Sequence, residues 1–126
     1  MKVLCFDVES TISNKGNPFD NTNKLVSIGW TDGTVCDCIR GEFTPGFQAI
    51  LDSANLLVGF NIKFDLHWIR NYGINFMDKR VWDCQLVHFI LTGQQYPYPS
   101  LNGVADYYGL GSKLDVVASQ YWDNNI

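Results

Sequence analysis

The sequence predicts an α/β domain: a three-strand antiparallel meander, then parallel strands alternating with helices. Three observations predict it. The first third is β-rich and apolar, an Asp-Gly pair separates two of its β-like runs, and the remainder carries apolar residues at helical spacing between start and stop signals. "KVLCFDV" is apolar on both faces, as a central strand would be. "NKGNPFDNTNK", Asn14 to Lys24, is a polar loop rich in turn residues. "LVSIGWT" and "TVCDCIR" flank Asp32-Gly33, a two-residue hairpin signal because both turn positions tolerate positive φ.

Beyond the meander, Thr44 is placed to cap a helix with Pro45 at its first position, and Phe47, Ile50 and Leu51 supply the apolar face. "NLLVGFN" reads as a short buried strand. "IKFDLHWIRNYG" places Phe64, Trp68 and Ile69 on one helical stripe and stops at Gly73. Asp83 caps a further helix that Gly93 ends. "QQYPYP" is a loop, Ser100 caps a short helix through Tyr108, and "KLDVVASQYW" is helical in pattern. With no repeat, low-complexity tract or internal linker, residues 1–126 read as one domain.

The bulk properties narrow the function. A chain of 126 residues with net charge −4 and pI near 4.8 has no basic stripe, which excludes a broad electrostatic nucleic-acid binder. An enzyme that meets a nucleic acid locally, through bound cations, is not excluded. No apolar run reaches membrane-spanning length and the start "MKVLCFDVES" lacks a signal peptide's apolar region, so no membrane partner is expected and the cytoplasm is the expected compartment. Cys5, Cys36, Cys38 and Cys84 include one C-x-C pair without a partner pair at zinc-ribbon spacing, so reduced thiols are expected rather than zinc ligands.

The chemistry-bearing signal is acidic. In "LCFDVES", Asp7 and Glu9 are two residues apart on a strand and therefore share a face. Like charges so close repel, which points to a cation between them. Asn61 stands where the next buried strand gives way to a helix, and Asp65 lies one turn into that helix. Ligands of open α/β sheets gather at such crossings. If the two strands are parallel neighbours, Asp65 faces the pair, and three hard oxygen donors select Mg²⁺ or Mn²⁺ over zinc.

Plainer readings exist for each residue. Asp7 and Glu9 suit exposed strand-end charges, and Asp65 suits a solvated acid at a helix start. His67 and His88 read as packed or surface histidines. Lys63, Arg70, Lys79 and Arg80 read as solvated charges, and Tyr96 and Tyr98 as packing for their loop. Trp68 and Trp82 read as core. The ordered succession of Asp7, Glu9, Asn61 and Asp65 is what favours a site.

"FDVES" followed by "NIKFD" resembles the first two motifs of the DEDD 3′–5′ exonucleases, specifically the proofreading domain of family A, phage-like DNA polymerases. "VWDCQLVHFIL" and "SLNGVADYYGL" extend the resemblance over nearly the whole chain. The resemblance implies a ribonuclease-H-like mixed sheet with helices on both faces. It implies two-metal hydrolysis of the terminal phosphodiester of single-stranded DNA, with Mg²⁺ or Mn²⁺ as cofactor. By resemblance Asp7 bridges both metals, Glu9 holds one and Asp65 supports the second. Asn61 and Ser10 would then contact the terminal nucleotide, and Phe64 would lie against the strand.

One departure stands out. The family's third motif, Tyr-x-x-x-Asp or His-x-x-x-Asp, has no counterpart here: four residues before Asp106, Asp115 and Asp123 stand Asn102, Gly111 and Ser119. The expectation is an exonuclease domain that is C-terminally incomplete, with a polymerase domain or partner chain supplying the missing carboxylate. The competing expectation is a catalytically incomplete ribonuclease-H-like module that binds nucleic acid or a partner chain without cutting.

Overall fold

A computed structural model describes residues 1–94 and 99–111. The helix expected at "KLDVVASQYW" and the loop tyrosines Tyr96 and Tyr98 lie outside these residues. The chain divides into two units, residues 1–87 and 88–126, each described by itself.

The first unit is built on a five-stranded sheet in the order β3-β2-β1-β4-β5. Its strands are β1 (Val3–Ser10), β2 (Leu25–Thr31), β3 (Cys36–Arg40), β4 (Leu56–Gly59) and β5 (Arg80–Asp83). β1 to β3 form the antiparallel meander, whereas β4 runs parallel to β1 and β5 parallel to β4. β1 is central, as its composition implies. Its two faces nonetheless differ: Leu4, Phe6 and Val8 are buried while Val3, Cys5, Asp7 and Glu9 are exposed. That alternation is the period of two expected of a half-covered strand.

Helices α1 (Gly46–Asp52) and α2 (Ile62–Asn71) close the buried face. Phe47 meets Phe6 edge to face at 5.4 Å, and Leu51, Leu57, Trp68 and Ile69 complete the core. Each such side chain contributes about 1.5–3 kcal/mol by leaving water, which fixes α2 over the end of β1. The β4–α2 crossing is tight. A Cβ on Gly59 would come within 2.9 Å of the Ile62 side chain, so only glycine lets the strand turn into the helix here.

Several details differ from the sequence reading. The β2–β3 link spans residues 32–35 rather than two residues, because the Asp32 carboxylate accepts from the N–H groups of both Thr34 and Val35 and draws them into the turn. Thr44 does not cap α1; its hydroxyl donates to the carbonyl of Tyr72, and Pro45 precedes the helix instead of opening it. β5 was not foreseen as a strand. Trp82 on it is 48 % exposed rather than core, since β5 is an edge with one neighbour. Gly73 follows α2 with φ +79, the expected stop, and all four cysteines are free.

The division between the units falls within α3 (Cys84–Leu91). In the second unit Ser100 caps α4 (Leu101–Tyr107), its hydroxyl accepting from Gly103 N–H at 3.1 Å. His88 is buried there, its Nδ1 3.1 Å from the Tyr108 hydroxyl and its ring against Tyr107. His88 is thus a packed histidine. No helix among the described residues is long and apolar enough to cross a membrane.

Candidate active site

The pairing of β1 with β4 ends at Cys5↔Val58. Beyond it β1 continues through Phe6, Asp7, Val8 and Glu9 without that neighbour, while the chain leaves β4 and enters α2. The next backbone donor is met by a side chain: Asp65 Oδ1 accepts from Val8 N–H at 3.1 Å. Val8 lies between Asp7 and Glu9, so this bond holds the Asp65 carboxylate against the tripeptide that carries both acids.

The electrostatics agree with that placement. Asp65 is 2 % exposed, and its carboxyl is pushed up from 3.8 to about 7. Burial is the largest cause; the negative charges of Asp7 and Glu9 add to it, and the Val8 hydrogen bond works in the opposite direction. Asp7 and Glu9 themselves are exposed. Cys5, on the same face of β1, is exposed as a residue but its thiol is partly shielded from water, and it too is pushed up, by that shielding first and then by Cys84, Asp7 and Asp65.

These three carboxylates are therefore near enough to repel one another, and all their donor atoms are hard oxygens, the set that suits Mg²⁺ or Mn²⁺. The donor chemistry fits a divalent cation. Among the described residues no group of three or more His, Cys, Asp or Glu side chains is yet arranged to hold a metal ion.

The residues expected around the acids divide in two. Ser10 and Phe64 are brought together: a Cβ added to the buried Gly16 would lie 3.0 Å from Ser10 Oγ and 3.5 Å from Phe64 Cζ. Ser10 Oγ donates to Thr11 O at 3.1 Å. Asn61 stands apart from them in its bonding. It occupies the N-cap position of α2 in the left-handed region (φ 55, ψ 50), makes no side-chain cap, and its N–H donates to Asp83 Oδ1 at 3.0 Å. Asp83 also accepts from Gln85 N–H at 3.0 Å, so it caps α3 as expected and, in addition, ties the heads of α2 and α3 together.

Two features of this region carry no signal in the sequence. One is the Val8 N–H, which no side-chain pattern reveals. The other is the turn Ser13–Gly16, which sits beside Ser10 and Phe64 and is held there by Trp68, whose Nε1–H donates to Gly16 O at 3.1 Å. Beside the acids, a shallow cavity of about 360 Å³ lies over β1 to β3, lined by Cys5, Asp7, Glu9, Gly29 and Cys38 among others. Gly29 has no side chain to fill it.

No protein-family model matches the chain, and no curated protein matches it. Solved structures do. The family B DNA polymerase from the hyperthermophilic archaeon Pyrobaculum calidifontis aligns over 97 % of this chain and 20 % of its own, with a TM-score of 0.64 and 14 % identity. Brucella melitensis NrnC bound to pGG aligns over 90 % of this chain and 55 % of its own, with a TM-score of 0.71 and 16 % identity. NrnC with bound Mg²⁺ aligns over 94 % and 59 %, with a TM-score of 0.70 and 14 % identity. The chain thus spans about a fifth of the polymerase and somewhat over half of NrnC. At these identities the likeness is one of fold, and the mixed five-stranded sheet with its helices is a ribonuclease-H-like α/β fold.

Proposed function

We propose that this chain is the metal-dependent 3′–5′ exonuclease domain of a proofreading DNA polymerase or a related nuclease, acting on the 3′ end of single-stranded DNA. The observation that carries the reading is the seat of Asp65: buried, bonded to the N–H between Asp7 and Glu9, and raised to about 7 in part by their charges. Repulsion within a carboxylate cluster is relieved by a proton or by a divalent cation, and a divalent cation meets all three acids at once. The fold shared with a DNA polymerase, with NrnC bound to pGG and with NrnC bound to Mg²⁺ supports the same class. The family A, phage-like origin rests on the motifs alone.

Asp7, Glu9 and Asp65 would hold Mg²⁺ or Mn²⁺, which when bound supplies an activated water and stabilisation of the leaving 3′ oxygen. The chain's own contribution is placement. Asp65 must give up its proton to serve as a ligand, and the Val8 N–H steadies the carboxylate when it does. Ser10 and Phe64, adjoining across Gly16, would receive the sugar and base of the terminal nucleotide, and Asn61 at the head of α2 would meet its phosphate side.

A second reading has one observation in its favour. Because the described residues contain no finished metal cluster, the chain would be a ribonuclease-H-like module that binds a strand, or awaits a carboxylate from a polymerase domain or partner chain, without cutting alone. One assay separates the two. The chain and an Asp7→Ala variant are incubated with 5′-labelled single-stranded DNA, and in parallel RNA, in Mn²⁺, Mg²⁺ or EDTA. A metal-dependent ladder shortening from the 3′ end, absent from the variant, establishes the exonuclease and reveals its preferred sugar. A folded chain that binds the strand and leaves it whole establishes the second reading.

A further inference from the structure

The Ser13–Gly16 turn carries a backbone that its sequence does not favour. Asn14 (φ 51, ψ 44) and Lys15 (φ 58, ψ 30) are both left-handed, with Gly16 following at φ +73. Glycine adopts this region freely and asparagine tolerates it, whereas a long side chain such as lysine is strained there. Such strain persists only where surrounding contacts over-determine it, and it gathers at functional sites.

The surrounding contacts are plain. Trp68 Nε1–H holds Gly16 O, the Asn14 carbonyl accepts from Asn17 N–H, and the buried Asn23 donates through Nδ2 to the carbonyls of Ser13 and Asn17. Asn23 Oδ1 accepts from Thr11 Oγ1, closing the base of the loop. These bonds tie the turn to α2 and to the base of its own loop. Gly16 is pressed between Ser10 and Phe64, and Lys15, immediately before it, is exposed.

A strand with its 3′ end over Ser10 and Phe64 brings phosphates toward three carboxylates on a chain whose net charge is −4. Such a site needs a fixed cation on the strand's path. We infer that Lys15 is a substrate-positioning residue, carried on the left-handed Ser13–Gly16 turn beside Ser10 and Phe64, whose ammonium pairs with a backbone phosphate of a single strand engaged there. This inference rests on the nuclease reading above and adds a backbone-phosphate contact to it.

The test uses two variants and a binding readout. A short 5′-fluorescein-labelled oligothymidylate is titrated, in Ca²⁺ and at several salt concentrations, with the unsubstituted chain, Lys15→Gln and Lys15→Gly. Loss of one phosphate contact on a single strand weakens binding about tenfold near 50 mM salt and lowers the slope of log K on log[salt] by about 0.7. Both variants are expected to show this loss. Lys15→Gly is also expected to melt at a higher temperature than the unsubstituted chain, because glycine relieves the strain, so its weaker binding cannot come from misfolding. Unchanged affinity and salt slope in both variants, while the unsubstituted chain binds, overturns the role of Lys15 and leaves the nuclease reading standing. No binding by the unsubstituted chain overturns both.

Discussion

Two parallel strands of this sheet leave directly into helices, and each crossing carries one aspartate put to a different use. At the β5–α3 crossing Asp83 accepts from the N–H groups of Gln85 and Asn61, two donors that helix starts leave without partners. At the β4–α2 crossing the acid is one turn further on. Asp65 leaves its own helix start uncapped and reaches across to Val8 on β1, where burial and two like charges raise it to about 7. Asp83 strengthens the fold it belongs to. Asp65 works against its fold whenever it is ionised, the kind of shift that gathers at functional sites.

The comparison is tested most sharply by replacing each acid. Asp65→Asn keeps an oxygen for the Val8 N–H and removes the charge. Exonuclease activity should fall by about 10²–10³-fold or more, the scale on which a single electrostatic group acts in catalysis, measured as initial rates on labelled single-stranded DNA. The metal-free variant should meanwhile be more stable than the unsubstituted chain above neutral pH. Between 3.8 and about 7, at about 1.4 kcal/mol per pH unit, ionising Asp65 withholds up to about 4 kcal/mol from the folded state at pH 8. Equal stability of the two chains at pH 8 in urea melts would remove the argument from the raised carboxyl, in which burial is the larger cause and the neighbouring charges the smaller.

The sign of the pH dependence follows from the same shift. A carboxyl whose folded value lies above its unfolded one favours the folded state at low pH, and that preference is lost as pH rises from about 4 through about 7. The metal-free chain should therefore lose stability across this window, relative to a flat Asp65→Asn control. Added Mn²⁺ should restore the melting temperature near pH 7.5 in the unsubstituted chain and do little in the variant. Below pH 7 metal binding has to displace the Asp65 proton, so apparent affinity should rise with pH up to that value and level off above it.

Asp83 should respond in the opposite direction. Asp83→Ala leaves two backbone donors without their acceptor, and the loss should be about 1–3 kcal/mol at neutral pH. Activity should fall less than for Asp65→Asn, because Asp83 reaches the site only through the backbone of Asn61. Chemical denaturation of the variant checks this. A destabilisation no larger than that of an exposed surface substitution would mean that the two crossings are not tied together by Asp83.

Much of this contrast was legible in the sequence, and its limits are physical. Asp7 and Glu9 share a face because strand side chains alternate, and the caps at Ser100 and Asp83 and the stop at Gly73 follow from local chemistry. The opposed β1 faces were not legible, since Val3 and Cys5 are as apolar as Leu4 and Phe6 and only the placement of α1 and α2 decides which are covered. β5 is four residues long like β4, but as a largely exposed edge, Arg-Val-Trp-Asp, it lacks the apolar run that marks β4. The Asp32 turn was read from Asp-Gly, but the Asp32 carboxylate recruits two further residues. The left-handed turn at Asn14 and Lys15 is held by Asn23, at the far end of the same loop, and by Trp68 on α2, so no signal within the turn itself announces it.

The smallest effect distinguishes what holds the head of α2 in place. Asn61 is left-handed at φ 55, makes no side-chain cap, and is exposed. Its side chain thus contributes little to the helix start, while its backbone gives the N–H that Asp83 accepts. Asn61→Gly keeps that N–H and suits the left-handed backbone better, so stability should stay level or rise by up to about 1 kcal/mol. Asn61→Ala, without asparagine's tolerance of the left-handed region, should lose about 1 kcal/mol. If the amide is there for the terminal nucleotide, both variants weaken single-strand binding equally despite their opposite stabilities. If binding instead tracks stability, the head of α2 matters only as scaffold, and the contrast between the crossings reduces to Asp65 alone.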